Sequence, residues 1–353
     1  METRHWDERN EPDRRMERRR PPSPRLTRRS ALTGLAAAVG AMAASAPLSV
    51  DLERNRTWAA AQAARGRWVT KAPLPVARSE VGVAVCGGRI YVLGGYANGR
   101  VDQPFNHEYD PRADAWRARS PMPRGLNHVA AAGFDGKVYA FGGFTAQNRN
   151  AVPDANVYDP TADTWRAVAP LRSKRGAAAA VELNGRLHLI GGREEVSGTD
   201  HDVYDPATNR WAALAPLPKG RDHLGVAALG GKIYAVGGRF NTFSYNTDLH
   251  DVYDPATDTW RPRAPLPTPR SGVAVGVLGG RIFVFGGERA GGVFAENEAY
   301  EPTTDTWTAM APMRTPRHGT GAGVIGDAIY VPAGAPVNGG SEQSAVNDAF
   351  VLS

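Results

Sequence analysis

Residues 232–260 read KIYAVGGRFNTFSYNTDLHDVYDPATDTW, and this stretch decides the fold. An apolar run ends in the pair Gly237-Gly238, a Tyr-Asp-Pro segment begins at Tyr253, and Trp260 closes the stretch. The apolar run is short and rich in β-branched and aromatic residues, which favours a strand. Asp-Pro favours a tight turn, because Pro fixes φ and Asp hydrogen-bonds its own backbone. The stretch therefore predicts short strands joined by turns.

The same three elements recur along most of the chain, with 46 to 49 residues between successive tryptophans. The Gly-Gly pairs begin at Gly94, Gly142, Gly191, Gly237 and Gly286, with a degenerate copy at Ala333-Gly334. The tyrosines are Tyr109, Tyr158, Tyr204, Tyr253 and Tyr300, with Phe350 in the last copy. The tryptophans are Trp68, Trp116, Trp165, Trp211, Trp260 and Trp307. Copies in register at this period indicate a repeat protein.

The pattern resembles the kelch repeat over residues 66–353. The resemblance implies that each repeat is a four-stranded blade and that the fold is an all-β, six-bladed propeller. Strand a is a short alternating run such as residues 81–86, strand c carries the Tyr, and strand d carries the Trp. The chain opens with a lone strand d around Trp68 and ends with a strand c at residues 345–352. We therefore expect the N-terminal strand to close the last blade, which leaves no open sheet edge.

The composition is typical of a large, turn-rich globular protein. The 353 residues are 42% hydrophobic, which excludes wholesale disorder, and the single Cys excludes a disulfide scaffold. The net charge is +6, but residues 1–46 hold 10 Arg and 6 acidic residues, and the remainder is nearly balanced. Because nucleic-acid binding needs basic residues clustered on a folded surface, no nucleic-acid partner is expected.

The first 46 residues are typical of an export signal. Arg28 and Arg29 precede an uncharged, Ala-rich stretch, residues 31–50, that contains small-x-small cleavage sites. The segment resembles a twin-arginine signal, which implies export of the folded protein to the periplasm or the outside of the cell. The stretch is too weakly apolar for a stable transmembrane helix after processing. The predicted divisions are a signal segment at 1–46, a linker at 47–65 and the propeller at 66–353.

Alignment of the repeats assigns two reactive residue types to the core. Cys86 occupies a position held by Phe, Leu or Ile in the other copies, and His188 occupies one held by Tyr or Phe. We expect both to be buried packing residues, as free Cys commonly is. The sequence contains no glycine-rich cofactor motif, so no cofactor is expected.

Function is expected in the loops, which strand parity sorts onto two faces. The d–a and b–c loops share one face, and the b–c loops are long and irregular, as binding loops on a rigid scaffold are. Because strand a is innermost in a propeller, residues of the d–a loops should circle the mouth of the central channel. The candidate ligand-binding residues are Arg78, Glu80, His128, Arg175, Arg193, Arg221, His223, Arg239, Arg270, Glu288 and Arg317.

Two roles are open for the five equivalent arginines of the d–a loops. They can bind an anionic ligand, since guanidinium groups suit carboxylates, or they can brace neighbouring loop carbonyls without any ligand. No metal site is expected, because His128 and His223 lie two blades apart and zinc ligands must reach about 2 Å from a shared ion.

Two classes of function are open. The favoured one is a monomeric binding module whose loop face holds a protein or a glycan, including an anionic one. The alternative is a sugar-acid-processing enzyme of the epimerase or mutarotase type, because bacterial N-acetylneuraminate epimerases are exported six-bladed kelch proteins with a similar plan. We assign none of their functional residues to positions in this sequence, and fold analogy alone does not carry function. An exposed aromatic patch would favour a partner surface; the candidates are Tyr96, Phe144, Phe240, Phe243 and Tyr245.

Overall fold

The computed structural model describes residues 65–352, which form six four-stranded antiparallel sheets arranged as the blades of a β-propeller. In each blade the strands follow the order a, b, c, d, and strand a contacts strand a of the neighbouring blades around a central channel. The predicted fold class is confirmed. The predicted signal segment and nearly all of the predicted linker lie outside the described residues. Within residues 65–352 no helix is long and apolar enough to cross a membrane.

Each blade runs outward from strand a at the channel to strand d at the rim. In the first blade the strands a to d are Gly82–Cys86, Arg89–Leu93, Asn106–Asp110 and Ala115–Arg119, and in the second Ala130–Phe134, Lys137–Phe141, Ala155–Asp159 and Thr164–Ala167. In the third they are Ala179–Leu183, Arg186–Ile190, His201–Asp205 and Arg210–Ala213, and in the fourth Gly225–Leu229, Lys232–Val236, His250–Asp254 and Thr259–Pro262. In the fifth they are Ala274–Leu278, Arg281–Phe285, Asn297–Glu301 and Thr306–Ala309, and in the sixth Gly323–Ile325, Ala328–Pro332, Asn347–Val351 and Arg67–Thr70.

Several b–c loops carry structure of their own. Three contain two-residue ribbons, and the b–c loop of the fourth blade contains a single 3₁₀ turn, Phe243–Tyr245. The ribbons are Tyr96–Ala97 with Val101–Asp102, Phe144–Thr145 with Asn150–Ala151, and Glu288–Arg289 with Gly292–Val293. The c–d and a–b connections are short turns. They lie on the opposite face, where the parity of the strands places them.

The two ends of the described chain meet in the sixth blade. Arg67–Thr70 pairs antiparallel with Asn347–Val351, and Trp68 lies opposite Phe350 in this pair. Trp68 is buried, and its ring lies 5.4 Å from that of Phe285 and 5.3 Å from that of Phe350. The predicted closure of the ring by the N-terminal strand is confirmed.

The repeated Trp and Tyr link neighbouring blades. The indole Nε1 of Trp165 donates to the carbonyl of Ser120 in the preceding blade at 2.8 Å, and the other five repeat tryptophans make the equivalent bond. The hydroxyl of Tyr158 donates to Asp163 in the following turn, and the same carboxylate accepts the N–H of Ser120. One Asp thus ties a strand, a turn and the preceding blade together, and it satisfies the Tyr158 hydroxyl and the Ser120 N–H at the seam.

The Gly-Gly pairs allow the end of strand b to approach the next blade. At Gly142, where φ is +59°, a Cβ atom would lie 2.1 Å from the carbonyl oxygen of Arg175. The adjacent Gly143 has φ of +107° and donates its N–H to that same carbonyl at 3.0 Å. Only glycine combines this φ with this contact.

The two reactive residues assigned to the core lie there. Cys86 is buried in an apolar cluster with Tyr91 and Tyr158, and burial raises the pKa of its thiol. His188 is buried, and its Nδ1 lies 2.9 Å from Nε2 of His201. Both therefore contribute to packing between strands.

Candidate functional site

The d–a loops form a closed backbone ring around the channel. One residue in each loop has φ between 53° and 67°, the left-handed region that costs free energy for residues other than glycine. Each such residue from the second blade to the sixth donates its N–H to its counterpart in the preceding blade, and the N–H of Val81 closes the ring onto Gly319. The six residues are Glu80, His128, Ala177, His223, Gly272 and Gly319. They line a channel cavity of about 80 Å³.

Glu80, His128 and His223 come together across this channel. Nε2 of His128 lies 3.0 Å from Oε2 of Glu80, and the rings of the two histidines are 4.8 Å apart. One ligating atom from each of the three side chains lies within 4.8 Å of the others. The prediction that His128 and His223 lie too far apart to share a metal ion is therefore wrong. The channel is narrow enough for side chains from the first, second and fourth blades to meet.

The residue that precedes each histidine orients its ring. Oδ1 of Asn127 lies 2.5 Å from Nδ1 of His128, and Oδ1 of Asp222 lies 2.5 Å from Nδ1 of His223. The Asn127 amide is fixed, because its nitrogen donates to Asp102 at 2.7 Å. Both oxygens can only accept, so Nδ1 carries the proton in both rings. Nε2 of His223 accepts a hydrogen bond from Arg239 Nη2, and Nε2 of His128 faces Glu80.

Arg239 joins three groups beside the channel. Its Nε donates to Asp222 at 3.0 Å, its Nη1 to Glu288 at 2.5 Å, and its Nη2 lies 3.0 Å from Nε2 of His223. All four side chains are buried. Such a charge-assisted network is strong when every member is satisfied, and it holds Arg239 away from solvent.

His318 completes the group from the sixth blade. Its Nδ1 lies 3.4 Å from Glu80 Oε1 and 3.6 Å from Glu288 Oε2, and it makes no hydrogen bond among the described residues. Its Nε2 lies 2.9 Å from the carbonyl oxygen of Val337. His318 is fully buried, so this orphan nitrogen is an unusual feature of the channel.

Sequence reasoning missed Asn127, Asp222 and His318. They occupy one repeat position, directly before the residue with left-handed φ, and this position is polar in five of the six blades. Alignment of the repeats contains that signal. The six residues at this position are Ser79, Asn127, Gly176, Asp222, Ser271 and His318.

The charges of the channel group shift its pKa values. Burial would raise the pKa of Glu80, but the charges of His128 and His318 outweigh it and hold the pKa below its usual range. Glu288 behaves in the same way, with burial opposed by His318 and Arg239. Burial, followed by the Arg239 charge, lowers the pKa of His223 to about 4. At neutral pH the channel therefore holds ionised carboxylates and a neutral His223.

The five d–a arginines are buried within their own blades and do not line the channel cavity. Each guanidinium donates to a carbonyl of strand b, as Arg270 does to Val284 at 2.9 Å. Four of them also meet an acidic side chain on strand c, such as Asp251 at 2.8 Å from Arg221. The pairs are Arg175–Asp202, Arg221–Asp251, Arg270–Glu298 and Arg317–Asp348. Of the two roles open for these arginines, bracing is the one that their contacts satisfy.

Arg78 differs from the other four arginines because its strand c partner is a histidine. Its Nη2 lies 2.9 Å from Nδ1 of His107, and Nη1 donates to the carbonyl of Gly94 at 2.8 Å. Burial without a carboxylate partner lowers the pKa of Arg78 to about 9. Arg193 lies nearer the loop face, where its guanidinium stands 4.8 Å from the Phe144 ring centroid and donates to Asn148.

The large apolar side chains that are well exposed within residues 65–352 all lie in b–c loops. They are Val101, Val196 and Tyr245, with 54%, 66% and 64% of their surface exposed. Of the predicted aromatic patch, Tyr96 and Phe144 are buried and Phe240 and Phe243 are half-buried. Among the five residues of the predicted patch, exposed aromatic surface is thus confined to the loop of the fourth blade.

Beside Val196 lies an open depression of about 480 Å³. Its lining includes Lys174, Arg193, Glu194 and Glu195, so charges of both signs surround an apolar side chain. Lys174 and Glu194 form an exposed ion pair at 2.5 Å. This depression is several times larger than the channel cavity.

The loops of this face are linked from blade to blade. Ser197 of the third blade and Asn241 of the fourth bond each other twice, through N–H donors at 2.7 Å and 2.8 Å. Further links include Asn127 to Asp102, Arg193 to Asn148, Asn246 to Glu288, Gly339 to Glu288, and Gly99 to Gln343. A surface fixed in this way loses little conformational entropy on binding.

Comparisons with known proteins agree with this architecture. A family model for the kelch-repeats domain of KLHDC2, KLHL20 and DRC7 matches residues 49–238, and a kelch motif model matches residues 220–267 and 269–314. Human Kelch-like protein 22 is 42% identical over 52 residues, which are 14% of this chain and only 8% of that protein. A solved structure, that of YjhT, superposes with a TM-score of 0.68 at 15% identity, over 78% of this chain and 95% of YjhT. The chain belongs to the kelch-repeat family of β-propeller proteins.

Proposed function

We propose that the protein is a binding module that holds a protein partner on the face of its d–a and b–c loops. The observation that carries this proposal is the placement of Val101, Val196 and Tyr245, which are all exposed and all lie in b–c loops. Contiguous exposed apolar surface with a polar rim marks an interaction surface. The third and fourth blades supply two of the three, and their loops are bonded together.

The contact is centred on Val196 and Tyr245. Tyr is enriched among residues that dominate binding energy, because it offers a large rigid surface and one polar group. The depression beside Val196 adds Lys174, Arg193 and Glu194, which can pair with charges of a partner. A protein partner uses such a mixture of apolar and charged groups more fully than a glycan does.

The geometry supports a sugar-acid-processing enzyme less well. The five arginines that would bind a carboxylate are buried, and four of them are already paired with an acidic side chain of their own blade. The channel cavity of about 80 Å³ is smaller than the roughly 300 Å³ at which small-molecule sites begin. The cavity beside Glu80 and His128 is therefore small for a sugar acid.

The test compares variants of the two faces. The full-length protein is immobilised, partners are recovered from envelope and medium extracts of the source organism, and the affinity of the recovered protein is measured by calorimetry. We expect Val196→Ser with Tyr245→Ser to weaken binding at least about tenfold, because a central interface residue carries more than about 1 kcal/mol. The matched control is Ala207→Ser in an exposed turn of the opposite face. An effect of the control alone, or a partner that is purely glycan, contradicts the proposal.

We propose further that the protein works outside the cytoplasm, because residues 28–29 and 31–50 resemble a twin-arginine signal. Arg28→Lys with Arg29→Lys should leave the folded protein in the cytoplasm at unchanged expression. Fractionation followed by immunoblotting measures this. Normal export of the double variant would point to another route and would leave the binding proposal standing.

A further inference from the structure

The fold does not require polar side chains at Glu80, His128 and His223. The other three blades have Ala177, Gly272 and Gly319 at this position, with similar φ and the same backbone hydrogen bonds. Burial of polar and charged groups costs free energy unless they are paired. Three such side chains gathered in one channel therefore serve something other than the backbone ring.

The two histidines present the same ring atom to the channel. Nδ1 of His128 is held by Asn127 and Nδ1 of His223 by Asp222, so Nε2 is the ring nitrogen that each histidine can offer to a metal ion. Histidines that bind metals are held in this way, with the second nitrogen bonded to an oxygen that fixes the tautomer. His128 Nε2 faces Glu80 Oε2 at 3.0 Å. Two electron-rich atoms at this distance need a proton or a metal ion close by.

The charges around the channel favour a dication. Glu80, Asp222 and Glu288 bring three carboxylates, and Arg239 pairs with the last two. Once both imidazoles are neutral, as ligation of a metal ion requires, the group carries two uncompensated negative charges in a buried place. Uncompensated buried charge is strongly unfavourable. A divalent cation neutralises it.

We propose that Glu80, His128 and His223 bind one divalent transition-metal ion in the central channel. Two imidazole nitrogens and one carboxylate oxygen suit zinc-class ions, whereas Ca²⁺ and Mg²⁺ prefer oxygen ligands throughout. The donor atoms already lie within 4.8 Å of one another. Around a tetrahedral zinc ion they would be about 3.3 Å apart, so small side-chain rotations are enough.

Two neighbours adjust to the ion. Arg239 gives up its contact with His223 Nε2 and keeps its bonds to Asp222 and Glu288, which hold its charge. The orphan Nδ1 of His318 lies 3.4 Å from Glu80 and offers a further donor beside the site. The exposed fractions of the three ligands, 5 to 9%, leave the ion a narrow path from solvent.

The test is a metal titration of the full-length protein after removal of metals with a chelator, at pH 7.5. We expect one Co²⁺ per chain with d–d absorption, displacement by Zn²⁺, and a melting temperature that rises with Zn²⁺ concentration. His128→Ala and His223→Ala introduce the residue that the third blade already uses at this position. Each should weaken Co²⁺ binding at least about 100-fold, since changes to groups behind the ligands alone cost 10- to 100-fold.

Two further variants make the outcome decisive. Glu80→Gln keeps the side-chain volume and removes the charge, so it tests the site even if an alanine variant loses stability. His188→Tyr removes a buried histidine far from the channel and installs the aromatic residue found in other blades, and it should bind Co²⁺ like the parent. Absence of stoichiometric Co²⁺ in the parent, or unchanged affinity in Glu80→Gln and His223→Ala, overturns the proposal.

Discussion

Closure of the ring by Trp68 has a measurable energetic consequence. The Trp68 ring packs against Phe285 and Phe350, and its Nε1 donates to the carbonyl of Ala311 at 3.0 Å. Replacement of a buried Trp by Ala costs about 3–5 kcal/mol. For a body of roughly 290 residues, 1 kcal/mol corresponds to about 1.7 °C. Trp68→Ala should therefore lower the melting temperature by about 5–8 °C.

Truncations separate the strand from the side chain. Deletion of residues 1–72 removes the whole of Arg67–Thr70 and exposes the edge of Asn347–Val351, so we expect a larger loss of stability and association between chains. Deletion of residues 1–60 should leave the melting temperature unchanged. Calorimetry and light scattering on the three proteins measure both effects. A deletion to residue 72 that melts like the parent refutes the closure argument.

Two further predictions concern buried charge. Arg270→Ala should lower the free energy of unfolding in urea by about 3–5 kcal/mol, because it leaves Glu298 buried and unpaired, whereas Arg261→Ala at an exposed position should lower it little. Arg270→Leu with Glu298→Asn introduces the pair found in the second blade and should restore at least half of the lost stability. A double variant as unstable as Arg270→Ala would contradict the pairing. Burial lowers the pKa of His188 to about 3 and that of His250 to about 4. Below about pH 6.5 the unfolded chain therefore binds protons at these histidines that the folded protein does not bind. The free energy of unfolding is highest above that pH and is lower by about 2 kcal/mol per histidine at pH 5. His188→Tyr should remove its share of that loss, and an equal loss in parent and variant at pH 5 would show that this histidine does not titrate on unfolding.

The fold could be predicted from the sequence because its signals are local and repeated. Each Gly-Gly pair marks a position where only glycine fits, and each Trp marks a seam between blades. The lone Trp68 could be assigned to the sixth blade because strands must pair. The ends of the strands could be predicted less precisely from the sequence. Strand a of the last blade, for example, is only Gly323–Ile325.

The candidate site was predicted in part. Alignment placed Glu80, His128 and His223 at equivalent positions, but it gives no channel width, so their meeting across the channel was missed. Alignment also gives no side-chain direction, so Arg221 and its equivalents were assigned to the channel mouth. The sequence does contain a signal that these arginines pair with an acidic residue on strand c. In the second blade both partners are replaced together, with Leu126 in place of the arginine and Asn156 in place of the acid.

The binding face is tested most directly by photo-cross-linking in the producing cells. p-Benzoylphenylalanine is placed in turn at Tyr245, on the loop face, and at Ala207, on the opposite face. Our account predicts a discrete protein adduct from position 245 that Val196→Ser weakens, and none from position 207. Adducts from position 207 alone, or from neither position, would contradict a partner surface on the b–c loops.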